Sequence, residues 1–343
     1  MELRFAPYRL RFKQPFGTAH GLRDGTDSVF VRLEDEGVQG FGEATLPPYV
    51  KEDQASITEF LRSLGKSVDR DRIFGIDPGE HPAARAALTT AYFDLISKQE
   101  CRWIEEILQL NDLPRPASKM SVITLGISDQ SLVVAKLSEL PNFNSLKVKL
   151  NGLDDEEILR LVLRLDPRPV LLDANQAWRS VDHALRMMDL VGQDRLIGIE
   201  QPFPVERSDL QEDLARRSGI LIIADESIQT LNDVERCAGS FSGINIKLMK
   251  CGGLDEAVAM LKIAKDRGLK VMLGSMSESS LGCGAMLRLK EHADVIDLDG
   301  PWLISNDPFY RVRLEDGEPI IDRTGKHGIG TTLNPAYAQL FGA

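Results

Sequence analysis

The chain has few cysteines, no excess of positive charge and no long hydrophobic run. Its four cysteines (Cys101, Cys237, Cys251 and Cys283) are scattered through 343 residues without the spacing of a disulfide framework or a zinc site. A formal net charge of −11 argues against nucleic acid and anionic membranes as partners. No apolar segment approaches the length of a membrane span, and the amino terminus carries no secretion signal. These absences predict a cytoplasmic protein.

The sequence instead contains eight short apolar runs, each of which ends in polar or charged residues. They are rich in Val, Ile and Leu, which is typical of buried parallel strands. The runs are residues 121–127, 145–150, 169–173, 196–200, 220–225, 243–247, 270–274 and 294–298. Helix-like stretches lie between them, such as 154–165 and 254–267. Strands and helices therefore alternate, as in parallel βαβ units.

The polar residues at the ends of these runs distinguish an open sheet from a closed barrel. In strand order they are Lys147 and Lys149, Asp173, Glu200, Asp225, Lys247, and the pair Asp297 and Asp299. An open sheet would scatter them along its edge. A closed barrel brings them to one mouth, because strand 2 then faces strand 6 and strand 4 faces strand 8. We therefore predict an α/β protein with a (β/α)7β TIM-like barrel.

Three carboxylates end the adjacent strands 3, 4 and 5. Asp173, Glu200 and Asp225 have no His or Cys among them, so they would form an all-oxygen site suited to one Mg²⁺ ion per subunit. Each carboxylate alone could equally cap a turn or a helix. Their matched positions on three neighbouring strands favour the metal site.

Three lysines predict a pair of acid/base groups. Lys147 and Lys149 lie two residues apart and share one face of strand 2, whereas Leu146 and Val148 suit the helix-facing side. The alternative is that both lysines reach solvent. Inside a barrel, repulsion would push the pKa of one lysine below its usual value of about 10.4. Lys247 lies across the mouth, so a carbon held between the amines could lose a proton from one face and regain it on the other.

Such a pair of bases needs a substrate with an acidic α-carbon. The metal would hold the substrate carboxylate and stabilise the enediolate that forms when the α-proton leaves. Lys250, three residues beyond Lys247, is expected to start the loop that contains Cys251, Gly252 and Gly253.

Asp297 and Asp299 repeat the spacing of two on strand 8, opposite the metal strands. Two carboxylates there, away from the cation, would bind a substrate ammonium group. The ligand would therefore need a carboxylate, an acidic α-carbon and an ammonium group, and a dipeptide has all three. The alternative is that this segment simply caps a turn.

At these positions the chain resembles the enolase superfamily, in its muconate-lactonising subgroup, and within that the dipeptide epimerases. The resemblance covers nearly the whole length and is carried by residues 147–149, 173–178, 199–202, 224–227, 245–253 and 297–299. A Lys base combined with Mg²⁺ is a known feature of that superfamily, not a result of spacing alone.

The resemblance implies a role for each residue of the site. Asp173, Glu200 and Asp225 would be the Mg²⁺ ligands, Lys149 and Lys247 the acid/base catalysts, and Lys147 an electrostatic helper. Asp297 and Asp299 would bind the amino terminus of a dipeptide, and Thr124 would line the pocket.

Segments on either side of the barrel are expected to form a capping domain. Residues 1–112 are predicted to form an α+β unit, with strands at 2–12, 28–34 and 39–43 and a helix at 83–98. Residues 113–310 are predicted to form the barrel, and residues 311–343 a tail. The tail carries a hairpin at 312–321 with Asp316 and Gly317 at its turn, and the resemblance implies that it packs back on the cap. Loops 16–25 and 45–51 would close over the mouth and contact the substrate.

Residues of loop 16–25 suggest which substrate side chain the protein prefers. His20 or Arg23 could bind an acidic side chain, which makes L-Ala-D/L-Glu, a dipeptide of cell-wall peptide metabolism, the leading substrate. In register with the Arg that Ala-Glu epimerases use, however, the chain has Gly21. Both side chains could instead be solvated.

Two other functions are compatible with the same residues. One is an o-succinylbenzoate synthase or muconate-type cycloisomerase, in which one lysine acts as base and another as a cation. The other is a ligand-binding protein without turnover, which the complete set of acid/base and metal positions disfavours. A homo-oligomer is compatible with the sequence.

Overall fold

The chain opens with a three-stranded antiparallel sheet. The computed structural model describes residues 1–18, 21–48, 50–127, 130–321 and 327–342. Strands β1 (Glu2–Thr18), β2 (Gly21–Asp35) and β3 (Val38–Leu46) pair in that order. The sequence predicted a loop at 16–25, but β1 and β2 extend through it: Phe16 pairs with Arg23, beyond a register shift that follows Arg11. The predicted capping loop is therefore the end of a long hairpin.

Four helices follow, and with this sheet they form what we call the cap. They are α1 (Gln54–Ser63), α2 (Arg70–Phe74), α3 (Pro82–Gln99) and α4 (Ile104–Ile107). Helix α3 is almost completely buried, and its alanines let it lie close to β3. Arg85 on α3 donates to the carbonyl of Gly252 (2.8 Å) and to Asp255 (2.7 Å), so this helix also binds the cap to the rest of the chain.

The second part is a closed barrel of eight parallel strands, as predicted. Its strands are β4 (Met120–Leu125), β5 (Ser145–Lys149), β6 (Val170–Asp173), β7 (Leu196–Glu200), β8 (Ile222–Ala224), β9 (Gly243–Ile246), β10 (Lys270–Gly274) and β11 (Val295–Asp297). The helices of the barrel are α5 (Gln130–Glu139), α6 (Asp155–Leu165), α7 (Val181–Val191), α8 (Ser208–Ser218), α9 (Leu231–Cys237), α10 (Leu248–Cys251), α11 (Leu254–Asp266), α12 (Ser280–Leu287) and α13 (Gly300–Leu303), with a 3-10 turn at Lys290–His292. Strand β11 pairs with β4 and closes the barrel.

Alternation along the strands separates an apolar shell from a charged interior. Leu146 and Val148 on β5 are fully buried in the large core outside the barrel, whereas Lys147 and Lys149 point inward. A separate small cluster fills the lower part of the barrel: Val122, Leu171, Ile223, Met272 and Val295. Because this layer closes the floor, the polar residues above it face only the mouth, which is the carboxyl end of the strands.

The tail adds two short sheets. β12 (Phe309–Tyr310) pairs with β15 (Thr332–Leu333), and β13 (Val312–Glu315) pairs with β14 (Glu318–Ile321); a 3-10 turn follows at Pro335–Tyr337. The predicted hairpin is confirmed, with positive φ at both turn residues, Asp316 and Gly317. Ile329 donates its N–H to Asp94 on α3, so the tail does contact the cap. The domain limits at 112 and 310 stay a prediction.

None of the helices within the described residues is both long enough and apolar enough to cross a membrane.

Candidate active site

A cavity of about 230 Å³ lies between the cap and the barrel mouth, and we call it the central cavity. Its lining includes the barrel residues Thr124, Lys147, Lys149, Asp225, Lys247, Asp297 and Asp299 and the cap residues Phe16, Arg23 and Val50. Lys149 ends β5 and Lys247 follows β9. These strands are four positions apart in the ring of eight, so the two lysines approach the cavity from opposite sides.

Lys147 lies at the centre of a network of carboxylates. Its Nζ is 3.1 Å from Asp173 Oδ2, 2.6 Å from Glu200 Oε2 and 2.9 Å from Asp297 Oδ2, and the side chain is almost completely buried. Burial alone would lower the pKa of Lys147, but Asp173, Asp297 and Glu200 outweigh it and hold the pKa well above its ordinary value. The lowered pKa that the sequence predicted for one lysine of this pair is therefore not found at Lys147, because three carboxylates surround its ammonium group.

Lys149 contacts the same oxygen of Asp173 as Lys147 does. Its Nζ donates to Asp173 Oδ2 at 2.6 Å and to Asn175 Oδ1 at 2.9 Å. Burial of Asp173 opposes its ionisation, but Lys147 and Lys149 together hold its pKa below the usual range. Asn175 reaches this position with a positive φ of 42°, a conformation that Asn tolerates better than most residues.

Lys247 and Lys250 both bind Asp225. Lys247 Nζ donates to Asp225 Oδ2 at 2.9 Å, and Lys250 Nζ donates to its Oδ1 and its main-chain oxygen, each at 2.7 Å. The pKa of Asp225 is lowered: burial opposes the shift, but the lysines outweigh it. The sequence placed Lys250 in a loop, which is wrong: it lies on α10, and one helical turn brings it back beside Lys247.

Glu200 is completely buried, and its two carboxylate oxygens have different neighbours. Asn245 donates to its Oε1 at 2.8 Å, whereas Oε2 is close to Lys147 but is not aligned for a hydrogen bond with it. Burial raises the pKa of Glu200 to about 7, Lys147 opposes this shift, and Asp173 and Asp225 add to it. Gly274 leaves the space for Asn245: an added Cβ would overlap Asn245 Oδ1 and lie 2.9 Å from Lys247 Cε.

The three carboxylates fit a hard divalent cation by their chemistry. Among the described residues, no three His, Cys, Asp or Glu side chains converge on one point, because lysine ammonium groups lie between Asp173, Glu200 and Asp225. The donor set is nevertheless entirely oxygen, and Glu200 is a buried carboxylate with one oxygen that lacks an aligned donor.

Glu226 is a further candidate ligand for such a cation. Its buried Oε2 has no hydrogen-bond partner within the described part of the chain. Burial, together with Asp225 and Asp173, raises the pKa of Glu226 to about 7.

Asp297 and Asp299 lie together on the β4 side of the cavity. Asp299 Oδ2 accepts the N–H of Thr124 at 2.7 Å, and Thr124 Oγ1 is 3.4 Å from Asp297 Oδ1. Burial and the adjacent Asp297 raise the pKa of Asp299 to about 7. The sequence placed the pair away from the metal residues, but Asp297 shares Lys147 with Asp173 and Glu200, so the acidic pair and the metal-site carboxylates form one network.

Arg23 extends from the cap hairpin into the wall of the central cavity. Its guanidinium lies 5.5 Å from the centre of the Phe12 ring, which is within the range of a cation–π contact. The structure thus brings Arg23 to the same cavity as the barrel lysines and carboxylates. His20, the other candidate, lies outside the described residues.

The sequence missed several residues that line the central cavity. Asn175, Glu226 and Ser275 are examples. Asn175 and Glu226 follow Asp173 and Asp225 so closely that their position was available from the motifs. Ser275 follows β10, which, like β4, ends without a charged residue, so no pattern in the sequence indicated it.

Lysines and carboxylates thus meet at the carboxyl ends of the barrel strands, an arrangement typical of barrel enzymes. The family described as enolase C-terminal domain-like matches residues 132–337. The L-Ala-D/L-Glu epimerase of Bacteroides thetaiotaomicron is 36% identical over 93% of this chain and 85% of its own length. The L-Ala-D/L-amino acid epimerase of Maribacter sp. is 32% identical over 97% of this chain and all (100%) of the relative.

A solved structure agrees with these relatives. The dipeptide epimerase of Methylococcus capsulatus, in complex with Mg and the dipeptide L-Arg-D-Lys, is 29% identical, with a TM-score of 0.83 over 96% of this chain and 99% of that one. The chain therefore belongs to the enolase superfamily, which confirms the resemblance found in its motifs. It is an isomerase of the racemase and epimerase class.

Proposed function

We propose that the protein is a Mg²⁺-dependent dipeptide epimerase that inverts the α-carbon of the C-terminal residue. The observation that carries the proposal is the central cavity itself, which has Lys149 on one side, Lys247 on the other and the acidic pair Asp297 and Asp299 at one end. Only a substrate with an α-proton between the amines and an ammonium group near the acids uses all of these groups.

The two lysines divide the proton transfer. One of them, in its neutral form, removes the α-proton from the near face, and the ammonium of the other returns a proton to the opposite face. For the reverse direction the roles exchange, which is why each stereoisomer needs its own base. Contacts with Asp173 and Asp225 hold the two Nζ atoms in place.

Lys147 supports this transfer without carrying a proton itself. Because its surrounding carboxylates keep it charged, its ammonium offsets negative charge on the substrate carboxylate and on the carbanion. Asp173, Glu200 and Asp225 would bind one Mg²⁺ per subunit. When bound, Mg²⁺ supplies positive charge that holds the substrate carboxylate and stabilises the negative charge that grows as the α-proton leaves.

Asp297, Asp299 and Thr124 would bind the amino terminus of the dipeptide. Their carboxylates accept charge-assisted hydrogen bonds from an ammonium group, and Thr124 fixes Asp299 through its N–H. An N-acylated amino acid lacks this ammonium. The site therefore favours a free dipeptide.

For the C-terminal side chain we propose an acidic residue, bound by Arg23. Arg23 is the cap cation that lines the cavity, and the Bacteroides relative is named for an L-Ala-D/L-Glu activity. Replacing it, in R23M, should lower kcat/KM for L-Ala-L-Glu by about 10- to 100-fold, which corresponds to the loss of a charge-assisted hydrogen bond. If R23M lowers kcat/KM for L-Ala-L-Leu by the same factor, Arg23 does not bind the acidic group of the substrate.

The test of the reaction is proton NMR in D₂O with Mg²⁺ and a panel of dipeptides that includes L-Ala-L-Glu. We expect the α-proton of the C-terminal residue to exchange and that of the N-terminal residue to persist. If no dipeptide exchanges and the protein instead converts a succinylbenzoate precursor or muconate, it is a lyase or cycloisomerase of the same superfamily.

A further inference from the structure

Two buried acids that the proposed reaction does not use meet where the cap joins the barrel mouth. Glu43 lies on β3, and Glu278 lies between β10 and α12; they are 1% and 0% exposed. A Cβ atom added to Gly282 would lie 2.5 Å from Glu278 Oε2 and 3.0 Å from Glu43 Oε2. The two carboxyl groups therefore approach each other across the space that this glycine leaves.

Glu43 binds the beginning of α12. It accepts hydrogen bonds from the N–H groups of Ser279 (3.1 Å) and Gly282 (3.0 Å), from the hydroxyl of Ser279, and from Thr45 Oγ1 at 2.6 Å. These donors and the positive end of the helix dipole suit an ionised carboxylate, even though burial raises its pKa. Through Glu43 the cap sheet is therefore joined to the barrel.

Glu278, in contrast to Glu43, has few hydrogen-bond donors around its carboxyl group. Its Oε1 accepts the N–H of Met276 at 3.0 Å, but its Oε2 has no hydrogen-bond partner in the described ranges. Burial raises the pKa of Glu278 to about 8, and Glu43 adds to the shift. At neutral pH Glu278 is therefore chiefly a protonated, uncharged acid.

The segment that Glu278 holds is part of the central cavity. Residues 275–277 line that cavity, and Ser275 Oγ lies 3.5 Å from the main-chain oxygen of Asp297. Ser277 has a φ of +65°, which a serine keeps only when its surroundings fix it. A Cβ on Gly300 would overlap the main chain of Glu278, so the segment also packs against the residue that follows Asp299.

We propose that Glu278 is a positioning residue of the active site, which acts as an uncharged acid opposite an ionised Glu43 and holds residues 275–277 against the cavity while the cap is in place. The effect on substrate rests on the proposed function. Titratable groups face Glu278 from the neighbouring elements: Glu43 from β3, Lys247 after β9 and Cys283 on α12. Beyond these, Asp307 acts on Glu43, and Asp299 acts on Cys283. Loss of the Glu278 proton would place two negatively charged carboxylates next to each other, whereas the positive charge of Lys247 favours the ionised form.

Substitutions of Glu278 test this role through the pH dependence of KM. E278Q keeps the shape and hydrogen-bonding capacity of the uncharged acid, so we expect its KM for the exchanged dipeptide to stay within about twofold of the wild type at pH 7. The wild-type KM should rise above pH 8, and E278Q should lack this rise. E278A should raise KM about fivefold or more already at pH 7, with a smaller effect on kcat.

A matched control separates positioning from general loss of stability. Asp94 is also a buried carboxylate that binds β3, by accepting the N–H of Phe41 at 2.9 Å, but it lies away from the central cavity. D94A should lower Tm and leave KM unchanged. If D94A and E278A raise KM equally, or if E278Q retains the alkaline rise, the positioning role is wrong.

A second measurement needs no substrate. Because the folded state binds the Glu278 proton more tightly than the unfolded chain, the stability that this group contributes falls as the pH rises from about 4 to about 8. The difference in Tm between E278Q and the wild type should therefore grow in favour of E278Q from pH 5 to pH 8 and then level off. A constant difference would overturn the inference. Absence of exchange with every dipeptide would instead refute the proposed function and leave this result intact.

Discussion

Lys147 sets the charge balance of the barrel mouth. Three carboxylates lie within 3.1 Å of its Nζ, so removing its charge would leave buried anions uncompensated. Lys149 Nζ lies 2.6 Å from Asp173 Oδ2, and Lys247 Nζ lies 2.9 Å from Asp225 Oδ2. The proposed mechanism therefore gives Lys147 the role of balancing charge, and gives Lys149 and Lys247 the proton transfer.

Single replacement of the catalytic lysines should separate the two faces of the substrate. K149Q and K247Q should each abolish epimerisation, and each should retain solvent-deuterium exchange with only one stereoisomer, because the remaining lysine still serves its own face. Exchange is followed by proton NMR with each isomer of the dipeptide. Loss of exchange from both isomers in both variants would contradict a division between two bases.

Asp299 should make dipeptide binding depend on pH. Its pKa is raised to about 7, so the carboxylate becomes neutral as the pH falls below 7 and no longer attracts an ammonium group. Calorimetry should show that dipeptide affinity falls by up to about tenfold per pH unit below pH 7. In D299N the affinity should be low and should not depend on pH in this range. An N-acylated amino acid serves as the control ligand, and a similar pH dependence for it would assign the effect to another group.

Close packing of a helix on a sheet fixes the position of the cap. The face of β3 that meets α3 carries Gly40 and Gly42, where an added Cβ would overlap the carbonyl oxygens of Ala91 and Ala87. The alanines of α3 and these glycines thus let the main chains approach. The same strand carries Glu43, so the approach of α3 also determines where the cap reaches the barrel.

Enlarging Gly42 should therefore destabilise the whole cap. We expect G42A to cost about 1–3 kcal/mol of unfolding free energy, since neither main chain can shift without disturbing its hydrogen bonds. Urea unfolding measures the change, and Q39A, at a half-buried position of the same strand, is the control. If G42A unfolds at the wild-type urea concentration, the packing of α3 on β3 is looser than the structure indicates.

At the scale of the whole molecule, barrel closure gathers charges that are remote along the chain. Asp173, Glu200 and Asp225 come from three successive strands, and Lys147 and Lys247 from opposite sides of the ring. An apolar layer that includes Val122, Leu171 and Ile223 is buried below them. A cytoplasmic location and a homo-oligomer stay predictions.

Mg²⁺ should raise the thermal stability of the folded protein. A ligand that binds only the folded state adds about 2.7 kcal/mol at a concentration of 100 Kd, and the gain should appear as a higher Tm in Mg²⁺ than in EDTA. E200Q should lose most of this gain. D294N is the control, because Asp294 is also an ion-paired carboxylate. It precedes β11 and therefore lies at the end of the barrel away from the mouth. A gain that survives in E200Q but not in D294N would place the cation elsewhere.

The sequence by itself determined the barrel and most of its charged mouth. Strand ends carry their chemistry in order along the chain, and the spacing of two in Lys147 and Lys149 already selects the inward face. Helix and strand types followed from periodicity, and the turn at Asp316 and Gly317 followed from the conformations that these residues tolerate.

Only the tertiary structure decided what depends on contacts between distant segments. The pairing of Lys250 with Asp225, the shared position of Asp297 beside Lys147, and the meeting of Glu43 with Glu278 each join residues that no local pattern connects. The extension of β1 and β2 through the predicted loop likewise results from cross-strand pairing. A pKa in the interior follows the sum of nearby charges and burial, so its direction at Lys147 was set by the folded arrangement and not by residue type.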